Sequence, residues 1–485
     1  MANSLRKDTF SGMLWTFGQK FSIELFAFIQ GIILARLLAP AEFGLIAMTQ
    51  IFFAISRCFI DSGFTTALIR KNNRQAIDYS TVYVTNIVMT SFFSIVLFIC
   101  APLIAGFYNE EVLTAIVRVN AFLLFINSFI AVQSTRMRIN LQFKQLGICN
   151  VLVTLVTGIT SICLAYLGYG VWALIYPNFL TPIICACFYW HYQHWFPGFN
   201  FSWKIWRDYF SFGSKLLASI LLNTIWENLY PIIIGKKYSA KDLGFYSKAS
   251  SYAFLPSKTF QGVIEQVTFP VMSSIQDDKV RLQSAYRRLI RVSGFIIFPI
   301  LIGIAVLAKP FVILFLTEKW SASIPYLQVI CFAAMWYPIH ALNLNLLQIK
   351  GRSDLFLTLE IIKKVVSLVV IIVSVPFGVF YMCVGSVISS FICLIINTYY
   401  TGKLIDVGFF TQMKDLAPSL LYAVFMGLVV SIVCIFIQSL IFQLVLGIFT
   451  GIISYLLIAL ILRSSELNYV KILVNDYIIK KNQFV

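Results

Sequence analysis

Charge is what this chain of 485 residues has least of: Asp, Glu, Lys and Arg together make up 12% of it, about half the share of an ordinary globular chain. That is too little to cover a water-soluble surface, so a soluble enzyme is excluded. Histidine is nearly absent too, and His191, His194 and His340 show no ligand spacing with carboxylates, so no metal centre is expected. The ten cysteines include no Cys-x-x-Cys pair. All lie in or beside apolar stretches, as small lipid-compatible residues. No phosphate-binding P-loop, zinc motif or catalytic triad is present. No catalytic residue and no cofactor is therefore expected, and any work of transport draws on an ion gradient, the membrane potential or removal of product.

What the chain has instead is apolar length. Hydrophobic residues make up 59% of it, the mean hydropathy is +0.85, and apolar stretches of about 20 residues recur throughout, the length a bilayer core demands. Stretches such as Val365 to Val375 lack strand-like alternation, and a backbone in lipid must satisfy its own hydrogen bonds, so the spans are helices. Turn residues and charge clusters divide the chain into fourteen, the first near 13–36 and the last near 440–462. Arg6 and Lys7 precede the first without a small-residue cleavage site, which reads as an uncleaved span rather than a signal peptide.

The net charge of +17 follows from loop placement and does not point to nucleic acid. Basic residues crowd alternate connections: Arg70, Lys71 and Arg74; Arg136, Arg138 and Lys144; Lys204 and Arg207; Lys279 to Arg291; Lys350 and Arg352; Lys403 and Lys414. With fourteen spans these share a side with Arg6, Lys7 and the tail, so both termini are expected in the cytoplasm. Lys236, Lys237 and Lys241 are the exception on the outer side. Trp195, Trp203 and Trp206, in the connection from Gln193 to Phe210, read as an interfacial anchor.

An internal repeat organises the spans. Shifted by 200 residues, Ile32 to Ile46 aligns without gaps on Ile232 to Tyr246, with Arg36 over Lys236, Glu42 over Asp242 and Gly44 over Gly244. A cation closes one helix near its negative pole, an acid opens the next near its positive pole, and glycine permits close approach. The motif itself is therefore a structural hairpin. An even number of spans separates its copies, so the halves run parallel, and transporters built this way hold substrate between the halves. The expected fold is an all-α integral membrane protein of about fourteen transmembrane helices. Two parallel six-helix lobes, at 1–207 and 208–404, surround a central cavity; two C-terminal helices follow at 405–463, then a cytoplasmic tail at 464–485.

The run ARLLAPAEFGLIAM from Ala35, followed by DSGFTTALIRK from Asp61, the second-half echo IIGKKYSAKDLGFYSKA from Ile233 and Pro256 soon after it resemble bacterial polysaccharide exporters. These form the lipopolysaccharide and oligosaccharide flippase branch of the multidrug/oligosaccharidyl-lipid/polysaccharide transporter superfamily. The resemblance covers essentially the whole chain. It implies a flippase in the bacterial inner membrane that carries a polyprenyl-pyrophosphate-linked oligosaccharide, an O-antigen, capsule or exopolysaccharide unit, from the cytoplasmic to the outer leaflet, with a glycan polymerase as a candidate partner.

Ionisable residues within spans are costly and so mark functional candidates. They crowd into spans 1, 2, 7 and 8, which line the cavity in the family this chain resembles. The resemblance, carried by helix and depth, makes Lys20, Arg57 and Lys258 the candidates for binding pyrophosphate in a shared central cavity. Arg118, Lys215 and Lys248 are further cavity cations, and Glu24, Asp61 and Glu227 are candidates for carrying a coupling ion. Against this, Lys20 with Glu24 and Arg57 with Asp61 are four apart and can neutralise each other on one helix face. Lys258 follows Pro256, which is expected to disturb the helix and free backbone groups. Two other readings remain: a drug or cation antiporter, which would favour acidic cavity residues, and a membrane-embedded glycan polymerase, which would need a large outer loop or an acidic pair.

Overall fold

The computed structural model describes residues 22–61 and 63–467. Among these residues there is no strand. Ten of the helical segments are long and apolar enough to cross a membrane, against the fourteen spans read from sequence. Their flanks carry large apolar side chains turned outward: Leu103 is 72% exposed, Ile435 78% and Phe436 82%. Such surface is stable only against lipid. The chain divides into two compact units, Met1–Gly244 and Phe245–Val485.

The first unit holds α1 (22–37), α2 (Pro40–Asp61), α3 (Phe64–Arg70), α4 (Ala76–Tyr108), α5 (Val112–Ile139), α6 (Phe143–Tyr166), α7 (Leu180–Gln193), α8 (Trp203–Glu227) and α9 (Leu229–Lys237), and ends in the first turn of α10 (Ala240–Ser274). Here α4 lies along α5, and α2 packs against α4, α8 and α9. The acids of the repeat act as helix openers. Glu42 Oε2 accepts from the Ala39 N–H at 2.6 Å, and the Ser239 hydroxyl accepts from the Asp242 N–H at 3.1 Å while donating to the Asp242 carboxylate at 2.6 Å. Two N-termini are thus capped by side chains three residues apart. The buried carboxylate of Asp78 gathers the Gln75 N–H at 2.8 Å, Lys71 Nζ at 2.7 Å and the Tyr209 hydroxyl at 3.1 Å. Nearby, Trp206 stacks between Trp203 and Phe210 at 4.7 and 4.9 Å.

The second unit continues α10 and adds α11 (Lys279–Val306), α12 (Ala308–Phe311), α13 (Ser323–Ala334), α14 (Tyr337–Ile349), α15 (Ser353–Ser374), α16 (Val379–Ile405), α17 (Phe409–Phe436) and α18 (Leu440–Ile461). α17 lies along α11 and α18. Tyr455 of α18 donates to the Phe295 carbonyl of α11 at 2.7 Å. Inside, Asn343 and Gln412 exchange amide hydrogen bonds at 3.1 and 3.0 Å, and Thr401 donates to Asn343 Oδ1 at 2.7 Å. His340 sits between Asn397 and Ser390, each at 3.1 Å. Most of these polar groups are paired with one another, as burial favours, while Asn397 Oδ1 has no partner among the described residues.

The structure departs from the expected spans in five places. The span read at 43–66 breaks after Asp61, and Gly63, at φ 81°, starts α3. A Cβ there would stand 2.7 Å from Gly213 Cα, so only glycine fits the turn. The span read at 170–192 opens with two short 3₁₀ segments before α7. That read at 212–234 breaks at Asn228, whose amide bonds back to the Thr224 carbonyl, and that read at 323–347 breaks between α13 and α14. The helix through Pro256 does not break: α10 is continuous from Ala240 to Ser274, with Pro256 and Pro270 inside it. A proline removes one donor and leaves the flanking ladder in place. The next residue, Ser257, is fully buried and ties α10 to the Ala334 carbonyl at 2.9 Å.

Candidate functional site

Polar side chains on apolar helices have to meet each other or line a cavity, and in the first unit they do the latter. A cavity of about 800 Å³ opens among α2, α4, α5, the 3₁₀ segments, the start of α7 and Asn228. Its size lies within the range of small-molecule sites. α2 supplies Thr49, Gln50, Phe53 and Arg57; α4 supplies Asn86 and Thr90, four apart; α5 supplies Asn120, Asn127 and Ser128. The helical repeat of 3.6 residues puts each of these sets on one face. Asn178 and Thr181 complete the polar wall, and Ile46, Leu123 and Ile175 are among its apolar members.

Arg57 is the one charged residue among the described lining residues, and no carboxylate is among them. The amides have a definite orientation. Asn127 donates to the Leu123 carbonyl at 2.9 Å, Asn178 to Leu174 at 3.0 Å and Asn228 to Thr224 at 2.8 Å. A carbonyl accepts and never donates, so the amide nitrogen must face it and Oδ1 must face the other way. Thr49 and Ser128 likewise donate to the Ile46 and Phe125 carbonyls, both at 2.8 and 2.7 Å respectively, leaving their lone pairs over. Thr90 is 1% exposed, and its hydroxyl has no partner.

Of the residues singled out from sequence, Arg57 lines this cavity. Lys20 lies outside the described residues, and Asp61 and Lys215 outside the described side chains. Glu24 and Glu227 are exposed. Arg118 lies over the Phe98 ring at 4.9 Å, on the α4–α5 seam. In the second unit, Lys248 is half-buried beside the Tyr252 ring at 6.0 Å, and Lys258 is exposed, 5.9 Å from the Phe254 ring. Lys363 pairs with Glu360 one helical turn away on α15. Charge marks Arg57 in the sequence, whereas the amides of this lining carry none. The signal was available, since an uncharged amide inside an apolar span is also costly, and Asn120 and Asn127 stand seven apart on one face of α5.

A chain whose described residues hold no strand, whose helices include ten long and apolar enough to cross a membrane, and which encloses a polar cavity among them belongs to the class of membrane transporters. The profile of a family described as polysaccharide biosynthesis protein matches residues 33–325, and the chain belongs to that family. Two similar curated proteins are the teichuronic acid biosynthesis protein TuaB of Bacillus subtilis (strain 168), 25% identical with 73% of each chain covered, and the lipopolysaccharide biosynthesis protein WzxC of Escherichia coli (strain K12), 24% identical over 81% of this chain and 80% of that one. Among solved structures, the lipid II flippase MurJ in an inward closed conformation shares the fold at a TM-score of 0.75 and 14% identity, over 93% of this chain and 98% of that one. An inward-facing multidrug transporter of the MATE family shares it at 0.60 and 16%, over 79% and 95%.

Proposed function

We propose that this protein is a flippase: it moves a polyprenyl-pyrophosphate-linked oligosaccharide across a bacterial cytoplasmic membrane by alternating access. The observation that carries the reading is Arg57 in a cavity otherwise lined by amides, hydroxyls and apolar groups, with no carboxylate among the described lining residues. A cation antiporter needs acids where its substrate sits. An arginine set among neutral polar groups suits an anion attached to an uncharged polar body, because its planar fork matches phosphate oxygens. Membership of the polysaccharide biosynthesis family supports the same reading, as do relatives named for teichuronic acid and lipopolysaccharide biosynthesis.

In this reading Arg57 contacts the pyrophosphate, Lys20 and Lys258 are further cationic contacts along the substrate's path, and Arg118, Lys215 and Lys248 raise the positive potential around it. Glu24, Asp61 and Glu227 are candidates for carrying a coupling ion. Both termini lie in the cytoplasm, and a glycan polymerase takes up the delivered unit. The experiment is deletion of the gene in its host followed by analysis of lipid-linked glycans. Accumulation of complete repeat units is expected. Accumulation of incomplete units would overturn the flippase reading in favour of an enzyme that builds them.

A further inference from the structure

Arg118 is a cation on the lipid side of the first unit. Along α5 the cavity takes Asn120, Leu123 and Asn127, and at about 100° per residue these lie about 140–180° round the helix from Arg118. The side chains on the face of Arg118 itself, Ala115, Phe122 and Phe129, are exposed, and so is Arg118. A stripe of this kind meets acyl chains. Any effect of the charge on the cavity passes across the helix, and its direct contacts are with lipid. The guanidinium lies over the exposed Phe98 ring of α4 at 4.9 Å, and among the described residues it pairs with no carboxylate. A charge held at a lipid face is costly unless something answers it.

The depth of Arg118 identifies the ligand. α4 begins just after Arg74, and α5 ends in Arg136 and Arg138, so the turn between the two helices lies at the face opposite the basic connections. At about 1.5 Å per residue the 33 residues of α4 run about 50 Å. Centred on a hydrocarbon core of about 30 Å, such a helix extends about 10 Å beyond it at each end. Arg118 lies about 9 Å down α5 from Val112, which puts it at the boundary between acyl chains and head groups. Helical side chains lean toward the N-terminus, and for α5 that direction is toward the phosphates. Glu111 stands about 10 Å further along the same face, a distance at which an exposed carboxylate is largely screened. We infer that Arg118 and Phe98 form a site for the phosphate of a glycerophospholipid in this leaflet. The guanidinium fork takes two phosphate oxygens, the ring holds the fork in place, and the acyl chains lie along the stripe through Phe122 and Phe129. The site faces away from the cavity and does not depend on the flippase reading. A carried lipid diphosphate shares the phosphate chemistry, but the resident of this outer flank is the phospholipid that surrounds it.

The test uses the full chain in maltoside detergent, which supplies no phosphate, and two lipids with the same photoreactive acyl chain, phosphatidylglycerol and diacylglycerol. Peptide mapping reads how much of each lipid labels α4 and α5. Half-maximal labelling there is expected at a phosphatidylglycerol concentration at least about tenfold below that of diacylglycerol, the factor that a hydrogen bond to a charged group supplies. α18 has no charged residue from Leu440 to Ile461, so it is the internal control and should take both lipids alike. Arg118→Leu should erase the preference on α4 and α5, and Arg118→Lys should keep part of it, because lysine offers no fork. Arg118 is exposed, so both variants are expected to fold, and unchanged labelling of α18 verifies that they do. A preference that survives Arg118→Leu would overturn the site. So would equal labelling of α4 and α5 by the two lipids in the unaltered chain, the result expected of a guanidinium that meets only water. Labelling by neither lipid would overturn it as well and mark a face covered by protein. Polyprenyl phosphate that displaces the label at a lower concentration than unlabelled phosphatidylglycerol does would overturn the phospholipid as occupant and assign the site to the carried lipid.

Discussion

The main-chain oxygen of Ala240 stands 1.7 Å from where a Cβ on Gly44 would be, and the oxygen of Pro40 stands 1.9 Å from the corresponding point on Gly244. The two copies of the repeat therefore cross each other through their glycines, each pressed against the first turn of the other. Ordinary van der Waals contact is about 3.5–4 Å, and main chain cannot swing aside as a side-chain tip can. The repeat is a packing device, and its glycines are fixed by contact rather than by conformation.

Gly44→Ala and Gly244→Ala are each expected to destabilise the protein by at least the 1–3 kcal/mol or so typical of overpacking, because the atom met is main chain in both cases. Gly106, where a Cβ meets nothing within 4 Å, supplies the control: Gly106→Ala should leave stability nearly unchanged. Thermal unfolding in detergent checks both. Equal melting of Gly44→Ala and Gly106→Ala would refute the crossing.

Arg57→Ala and Lys258→Ala are each expected to abolish export with protein levels in the membrane unchanged, and Arg57→Lys to retain part of it, since lysine cannot reproduce the bidentate fork. Export restored in the double variant Arg57→Ala with Asp61→Ala would show that Arg57 only neutralises a neighbouring acid.

Arg287 grips Asp415 with both Nε and Nη2 at 2.7 Å, joining α11 to α17. The Asp415 side chain is 6% exposed and that of Arg287 38%, so the two truncations should differ. Arg287→Ala leaves a buried carboxylate unpaired and should cost about 1–3 kcal/mol. Asp415→Ala leaves a guanidinium that reaches the surface and should cost less. Unfolding of both variants side by side decides this, and the reverse order would contradict it.

Cysteine labelling from either side should place residues 74, 138, 204, 281, 352 and 403 in the cytoplasm and 109 and 319 outside, following the alternation of basic connections. Lys204 and Arg281 on opposite faces would break the parallel-halves arrangement.

The apolar spans were legible because length and hydropathy suffice to call a buried helix in lipid. The repeat was legible too, since its acid and glycine positions survive a shift of 200 residues, and Glu42 and Asp242 act as the helix openers their positions suggest. Breaks inside spans were harder. Gly63 turns the chain because Gly213 comes close to it, a contact between residues far apart in sequence. Pro256 does not disturb its helix as expected, since one missing donor does not end a helix of 35 residues held by its neighbours. In the cavity, Arg57 stood out by charge, whereas Asn127, Asn178 and Asn228 did not, because the orientation of each amide is set by a hydrogen bond to a main-chain carbonyl four residues back, which composition does not reveal.

The most direct measurement reconstitutes the purified protein in liposomes carrying a polyprenyl-pyrophosphate-linked oligosaccharide in one leaflet and follows its arrival in the other with an externally added glycan-cleaving enzyme. The account predicts transfer well above protein-free liposomes and at least about tenfold slower transfer with Arg57→Ala, the loss of a charge-assisted bidentate contact being worth 1.4 kcal/mol or more. Transfer no faster than in protein-free liposomes, or undiminished by Arg57→Ala, would contradict it.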